Sequence, residues 1–414
     1  MASLQAVRGT QDLLPAEQSR HRHVIETARS TAARYGYQEI ATPIFEFTEV
    51  FSRPIGETTD IVTKEMYTFT DRGGEGITLR PEYTAGIVRA VISNGLTQNL
   101  PLKFFAAGPM FRYERPQKGR FRQFHQIDVE LIGAPQPQAD IEVVALGADI
   151  LDALGILKRT VLELNTLGDT ASRQAYREAL VAYYGRHRDG LSADSLARLE
   201  RNPLRILDSK DEGDKRINAE APSFADYLTA EAQGFFDAVR GGLDLIGIPY
   251  KVSPRLVRGL DYYCHTAFEF VTTDLGSQGT VLGGGRYDGL MGVMGGPETP
   301  GVGWAAGIER LALLIDEPPA AARPVVVIPV GEAGEKAALK LTHELRRAGF
   351  TVDLGFSGNV GRRMKRANKI NARVAVLLGE DELKRNAATL RDLDGGTQSE
   401  VPLAELPERL APFR

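Results

Sequence analysis

From Phe111 to Gly133 the chain reads FRYERPQKGRFRQFHQIDVELIG: it begins as a strand, turns strongly basic and returns as a strand with alternating polar residues. Side chains two apart on a strand point to the same face. Arg112 and Glu114 therefore share a face before the loop, and Phe124, Gln126, Asp128 and Glu130 share one after it. Ile127, Val129 and Leu131 take the other face and suit a core. A face that mixes an arginine, an aromatic ring, an amide and carboxylates is costly to bury unless it binds something polar. The loop adds Arg115, Lys118, Arg120 and Arg122 with no acid among them, a local anion site on a chain of net charge −4. A solvated hairpin is the ordinary explanation of such charges. The co-facing arginine, phenylalanine, glutamine and glutamate favour a pocket.

The rest of the chain suggests two or three domains in 414 residues, with the 43% hydrophobic and 25% charged content of an ordinary soluble globular protein. A pI near 6.0 argues against a protein that coats nucleic acid nonspecifically, and leaves room for local basic patches. One cysteine, Cys264, allows no intrachain disulfide and fits a reducing cytoplasm. The six histidines show no metal-ligand spacing, and His21 and His23, in a charged N-terminal helix, are expected on the surface. No run reaches the ~20 apolar residues of a membrane helix, and the opening MASLQAVRGTQDLLP has no signal-peptide core.

Organisation follows from texture. Residues 15–35 read as a helix, 38–40 as a strand, 63–102 as strand, turn and helix with GGEG at 73–76 as the turn, and 139–157 as a helix. Glu82 and Thr84 fall at a strand-to-helix junction. Charged helical segments dominate 168–247, an expected helical insertion, before strands return at 250–252 and 266–272. EPPAAARP at 317–324 reads as a linker. Beyond it, VVVIPV opens an alternation of strands and helices, a small α/β domain. One of its helices carries GRRMKRANKINAR, six basic residues and no acid: either a solvated face or an RNA contact.

No GxxxxGK[ST] loop is present, and GVGWAAG at 301–307 lacks dinucleotide-fingerprint spacing. Candidate anion-binding arginines are instead dispersed: Arg112 on the hairpin, Arg258 before a strand, and Arg310 in the first turn of a helix. A cation near a helix N-terminus opposes the macrodipole, and a bound anion would offset that. GGGRYDG at 283–289 suits either a tight turn or a close approach of ligand to backbone.

These segments resemble the class II aminoacyl-tRNA synthetases, and within them the histidyl-tRNA synthetase family. TPIFE (42–46), with Pro43, resembles the first class motif, FRYERPQKGRFRQFHQ the second and GVGWAAGIERL the third. RGLDYY (258–263) and GGGRYD (283–288) resemble the histidine-specific signatures, and AVRGTQDLLP and LRPEYTA match in kind. Tyr83 departs from the glycine common there, which puts the pocket edge near Glu82 and Thr84 in question. The resemblance spans essentially the whole chain. It implies an α+β catalytic domain (1–320) with a mixed, mainly antiparallel sheet, a helical insertion (168–247) and a C-terminal α/β anticodon-binding domain (325–414).

The resemblance also implies an ATP- and Mg²⁺-dependent ligation of L-histidine to its tRNA by a cytoplasmic homodimer. Arg112, Arg258 and Arg310 would be the catalytic arginines. Arg112 would meet the α-phosphate and the histidine carboxylate, Arg258 the α-phosphate, and Arg310 the γ-phosphate. Glu114 would hold the adenine amino group and Phe124 stack on its ring. Glu82, Thr84 and Gln126 would face the histidine ammonium, Glu130 and Tyr263 the imidazole, with Tyr262 close by. No protein side chain is assigned to the metal. Gln117, Lys118 and Arg120 would meet the acceptor end of tRNA, and Arg362, Arg363, Lys365 and Arg366 its anticodon arm. Two other readings compete: a histidine-sensing, non-catalytic paralogue, such as the regulatory subunit of ATP phosphoribosyltransferase, and a plain RNA-binding module. The first usually lacks an anticodon domain and parts of the catalytic motifs; the second leaves the histidine-type pocket unexplained.

Overall fold

A computed structural model describes residues 4–56, 59–207, 209–257, 260, 262–318 and 322–413. The chain forms two compact units that divide at residues 318 and 319.

In the first unit the strands are β1 (Gln38–Glu39), β2 (Phe45–Phe47), β3 (Tyr67–Thr70), β4 (Gly76–Leu79), β5 (Leu102–Phe111), β6 (Gln123–Ile132), β7 (Val161–Thr166), β8 (Lys251–Val252), β9 (Cys264–Val271), β10 (Thr280–Arg286) and β11 (Gly301–Gly307). Eight of them form one sheet in the order β1-β5-β6-β11-β10-β9-β7-β8. Only β1–β5 and β7–β8 pair in parallel, so the sheet is mixed and mainly antiparallel. A small sheet, β2-β4-β3, stands apart from it.

The sheet has two unlike faces, as the alternation in β6 predicts. Ile127, Val129 and Leu131 are buried with Phe268, Trp304 and the apolar stripes of helices Pro15–Arg34, Pro137–Ala153 and Ile308–Leu314. Trp304 satisfies its one donor on the Val143 carbonyl at 2.9 Å. The helices start where local chemistry favours it, with Pro15 and Pro137 in the first turn. His21, expected on the surface, is buried at 5% exposure. It shares the inward face of its helix with Val24, Ala28 and Ala32, a stripe at helical spacing that charge content alone concealed.

The helical region 168–247 divides in two. Tyr176, Leu180, Tyr184, Leu199 and Ile206 build a separate small core. The last helix, Ala230–Leu245, instead packs Phe236, Val239 and Leu243 into the main core. The module with its own core is therefore shorter than the expected insertion.

The second unit adds β12 (Val325–Pro329), β13 (Val352–Leu354), β14 (Val374–Leu378), β15 (Ala387–Asp392) and β16 (Gln398–Pro402), ordered β13-β12-β14-β15-β16. The two pairings of β12 are parallel and the other two antiparallel. Val325 and Val327 face helix Gly331–Arg347, while Val326 and Ile328 face helix Val360–Lys369. Burial on both sides is why this strand reads as an unbroken apolar run.

Candidate active site

The polar face of β6 is the floor of a cavity of about 260 Å³. Cross-strand register explains why there is room. Opposite Gln126 lie Gly108 on β5 and Gly307 on β11; opposite Asp128 lie Ala106 and Ala305; opposite Glu130 lie Phe104 and Gly303. Directly opposed residues share a face, so β6 holds its polar side chains among neighbours that are mostly small. A Cβ at Gly303 would sit 1.9 Å from Glu130 Oε2. Of the GGG segment, Gly283 lines the cavity. Gly284 instead admits the adjacent β11, since a Cβ there would lie 2.0 Å from the Gly303 carbonyl.

One end of the cavity is rich in cations. Arg112, Arg120 and Arg310 all line it. Burial lowers the Arg310 pKa, and the neighbouring Arg120 and Arg112 lower it further. Arg310 is held by the carbonyls of Gly119 (3.2 Å) and Thr280 (2.6 Å) and by Gln278 Oε1 (2.8 Å). Arg112 donates to the Pro81 carbonyl at 2.8 Å and lies over the Phe124 ring at 5.3 Å. Its pKa is also lowered by burial, with Glu65 and Glu82 acting against that. Converging guanidiniums repel, and a polyanion would relieve them.

The other end is rich in acceptors. Glu82, Thr84, Gln126 and Asp128 line it, walled by Tyr262 and Tyr263, whose rings are 4.7 Å apart. Gln126 Oε1 and Asp128 Oδ2 are buried with no hydrogen-bond partner among the described residues. An unmet buried acceptor costs about 1–3 kcal/mol, so two of them mark a place for a ligand with N–H donors. Asp128 is pushed well above the usual carboxylate range by burial and by Glu130 and Glu82. Glu82, also raised by burial, accepts from the Ala85 amide at 2.9 Å.

Glu130 does not line this cavity. It lies behind Thr84, whose hydroxyl donates to it at 2.5 Å, and it accepts a second bond from Tyr287. Each carboxylate oxygen keeps a further lone pair. Burial lifts its pKa to about 8, against the lowering effect of those two hydrogen bonds.

Other expected positions fall differently. Glu114 is paired with Arg120, which turns that arginine inward to the cavity, away from the exposed Gln117 and Lys118 at the loop tip. Tyr83 stays off the cavity: its ring packs under Arg80, with 4.1 Å between guanidinium and ring centre. Gly108 makes room for it, since a Cβ there would meet the Tyr83 hydroxyl at 2.6 Å. Arg258 lies outside the described residues, as do Gly259 and Asp261 of the same signature. In the second unit Arg362, Lys365 and Arg366 are exposed, but Arg363 is buried. It bonds the Pro329 carbonyl and pairs with Glu335 at 2.6 Å, so it serves the fold and cannot reach RNA.

Two residues of the site were missed in the sequence as binding groups. Asp128 shares the parity of Gln126 and needed only to be taken at face value. Tyr287 is signalled by GGGRYD, but its partner Glu130 is a long-range contact. Arg286 of that segment is fully buried against Asp140 and is structural.

Among the described residues one trio could hold a metal ion, His21, His125 and Glu309, with ligand atoms within 4.8 Å. Glu309 is already bonded to the His125 amide (2.9 Å) and Nδ1 (2.8 Å), which ties the helix bearing Arg310 to the strand bearing Phe124.

The family model described as Histidyl-tRNA synthetase matches residues 9–311, and that described as Anticodon binding domain matches 324–411. A histidine–tRNA ligase of Rhodospirillum rubrum is 62% identical over 414 residues, covering all of both chains. One of Gluconacetobacter diazotrophicus is 59% identical, covering 99% of each. The solved structure of apo S. aureus histidyl-tRNA synthetase aligns with a TM-score of 0.85 at 35% identity, covering 98% of this chain and 99% of that one.

Proposed function

Because this chain belongs to the histidyl-tRNA synthetase family, we propose that its two-ended cavity is where histidine and ATP meet on the way to histidyl-tRNA. The activity is the ATP-dependent ligation of L-histidine to tRNA. The full-length match to ligases, with the anticodon-binding domain present, favours it over the histidine-sensing paralogue. In the first step a histidine carboxylate oxygen attacks the α-phosphorus of ATP. A P–O bond forms, the bond to the β-phosphate oxygen breaks, and pyrophosphate leaves. In the second, the terminal 3′-hydroxyl of tRNA attacks the adenylate carbonyl and AMP leaves. Neither step needs a protein nucleophile. Both need alignment and fixed positive charge.

The observation that carries the assignment is the polarity of one cavity: acceptors Gln126 and Asp128, without partners among the described residues, at one end, guanidiniums Arg120 and Arg310 at the other, and Arg112 coupled to both. Histidine supplies N–H donors for the first, and the triphosphate supplies the anion for the second. Arg112 stands between them and would hold the α-phosphate beside the histidine carboxylate. Arg310 would take the γ-phosphate, Phe124 the adenine ring, and Glu114 the adenine amino group, sharing its carboxylate with Arg120. Glu82, Thr84, Gln126 and Asp128 would serve the amino acid, with Glu130 acting on it from behind Thr84 by holding that hydroxyl. Arg258 keeps its proposed place on the α-phosphate by resemblance alone.

Mg²⁺ would arrive on the phosphates. The carboxylates on the phosphate side, Glu114 and Glu309, are committed to Arg120 and His125. They do not form a ready protein cage for an ion.

Gln117 and Lys118, both exposed, would meet the tRNA acceptor end. A second copy of the chain would cover Phe45, Phe47 and Phe69, which are 59%, 56% and 47% exposed on the small sheet next to Pro43. An apolar face of that kind marks an interface, in keeping with a cytoplasmic homodimer. Among the described residues no helix is long and apolar enough to cross a membrane.

The test is exchange of labelled pyrophosphate into ATP by the intact protein. Exchange that requires histidine is expected. A folded protein that binds histidine without exchange would favour the paralogue instead.

A further inference from the structure

The second unit carries a recognition surface beyond its basic helix. Along helix Val360–Lys369, Arg362, Lys365, Arg366 and Lys369 are all exposed. Their spacing of i, i+3, i+4 and i+7 places them in one stripe. The opposite stripe, Val360, Met364, Ala367 and Ile370, packs under the sheet. Only Arg366 has a described acidic partner, Asp353 at 3.1 Å. Arg362, Lys365 and Lys369 have none among the described residues, so three of four charges face solvent uncompensated.

Phe356 lies in the turn that leads into this helix and is 75% exposed. It is the one strongly exposed phenylalanine of the unit among the described residues; Phe350 is buried and Phe413 packs on the core. The turn is built to run close to the stripe. Gly358, at φ 96°, passes against Arg362, where a Cβ would lie 3.1 Å from the Arg362 Cβ. Asn359 then caps the helix by accepting from the Arg362 amide at 3.0 Å. A cationic track with an adjoining open aromatic face is what an unpaired nucleic-acid strand requires: phosphates follow the charge and a base stacks on the ring.

We propose that Phe356 is the platform on which one unpaired base of the tRNA anticodon loop stacks, while Arg362, Lys365 and Lys369 hold the phosphates beside it. The proposal rests on the reading of this unit as the anticodon contact. Stacking is tolerant of base identity, so Phe356 supplies affinity and register and leaves base discrimination to other groups.

The test uses the full-length protein and tRNA transcripts carrying 2-aminopurine at one unpaired anticodon-loop position at a time. Binding to the native protein should quench the fluorophore at one position. F356A should abolish that quench and weaken tRNA binding about 5- to 100-fold, and F356W should restore both. Histidine-dependent pyrophosphate exchange should not change, which also shows that the variant is folded. Replacing Arg362, Lys365 and Lys369 by glutamine should reduce the salt slope of binding by about 2, at roughly 0.7 per phosphate. If F356A binds and quenches like the native protein while the triple variant loses affinity, the stacking proposal fails and the anticodon reading stands. If neither variant alters tRNA affinity, both fail.

Discussion

Replacing Arg112 with alanine should lower the kcat/KM of histidine-dependent pyrophosphate exchange by at least about 10³-fold, with losses toward both histidine and ATP. Removing one donor aimed at developing charge typically costs about 10²–10³. Arg112 is placed to do more, because it is felt at both ends of the cavity. Its charge acts on Glu82 and Asp128 at the acceptor end and on Arg310 at the other. Without it Glu82 loses its compensating cation, Asp128 keeps only that of Arg80, and Phe124 loses the guanidinium over its ring. Lysine should recover little: a single ammonium cannot hold the Pro81 carbonyl, as Nε does at 2.8 Å, and still present a planar fork to phosphate. A defect confined to one substrate, or smaller than about tenfold, would place Arg112 outside the reacting centre.

Replacing Glu130 with glutamine should raise the KM for histidine by roughly 2- to 10-fold, the weight of the neutral hydrogen bond that holds the Thr84 hydroxyl in place, and leave the KM for ATP nearly unchanged. Equal losses in both would remove Glu130 from the amino-acid end. The same substitution has a signature in stability. Glu130 titrates near 8 in the folded chain against 4.5 ordinarily. Below the lower value both states are protonated and stability does not depend on this group. Between the two the unfolded chain has lost the proton that the folded chain keeps, so stability falls as pH rises, by up to ~1.4 kcal/mol per unit. Above the upper value both are ionised and the dependence ends. Denaturant unfolding from pH 5 to 8 should therefore show a decline in the native protein that is shallower in E130Q. Parallel curves would mean that Glu130 is not held protonated.

Much of this site is legible in the sequence because strand alternation is a local rule. The parity of Phe124, Gln126, Asp128 and Glu130 locates the pocket floor, and Ile127, Val129 and Leu131 locate the core beneath it. The doubly buried strand Val325–Pro329 is likewise readable from its unbroken apolar run. What local pattern does not carry is the partner. Arg120 reads as a free cation in a basic loop, yet Glu114 turns it inward. Arg363 reads as one more charge on a basic helix, yet it points at the Pro329 carbonyl and Glu335 across the sheet. Glu130 has the right parity for the cavity, but Thr84 and Tyr287 draw it behind the wall. Tyr83 looks like an intrusion until Gly108, on a neighbouring element, is seen to accept it. Each of these depends on contacts between residues distant in the chain or on which way a long side chain leans.

The most direct measurement is a crystal structure with L-histidine and a non-hydrolysable ATP analogue bound together. The amino acid is expected at the acceptor end, with Gln126 Oε1 and Asp128 Oδ2, both without a partner among the described residues, within hydrogen-bonding distance of its nitrogens. The phosphates are expected against Arg112 and Arg310. Histidine seated instead in the adjoining cleft of about 740 Å³, with those two acceptors still unpaired, would contradict that assignment.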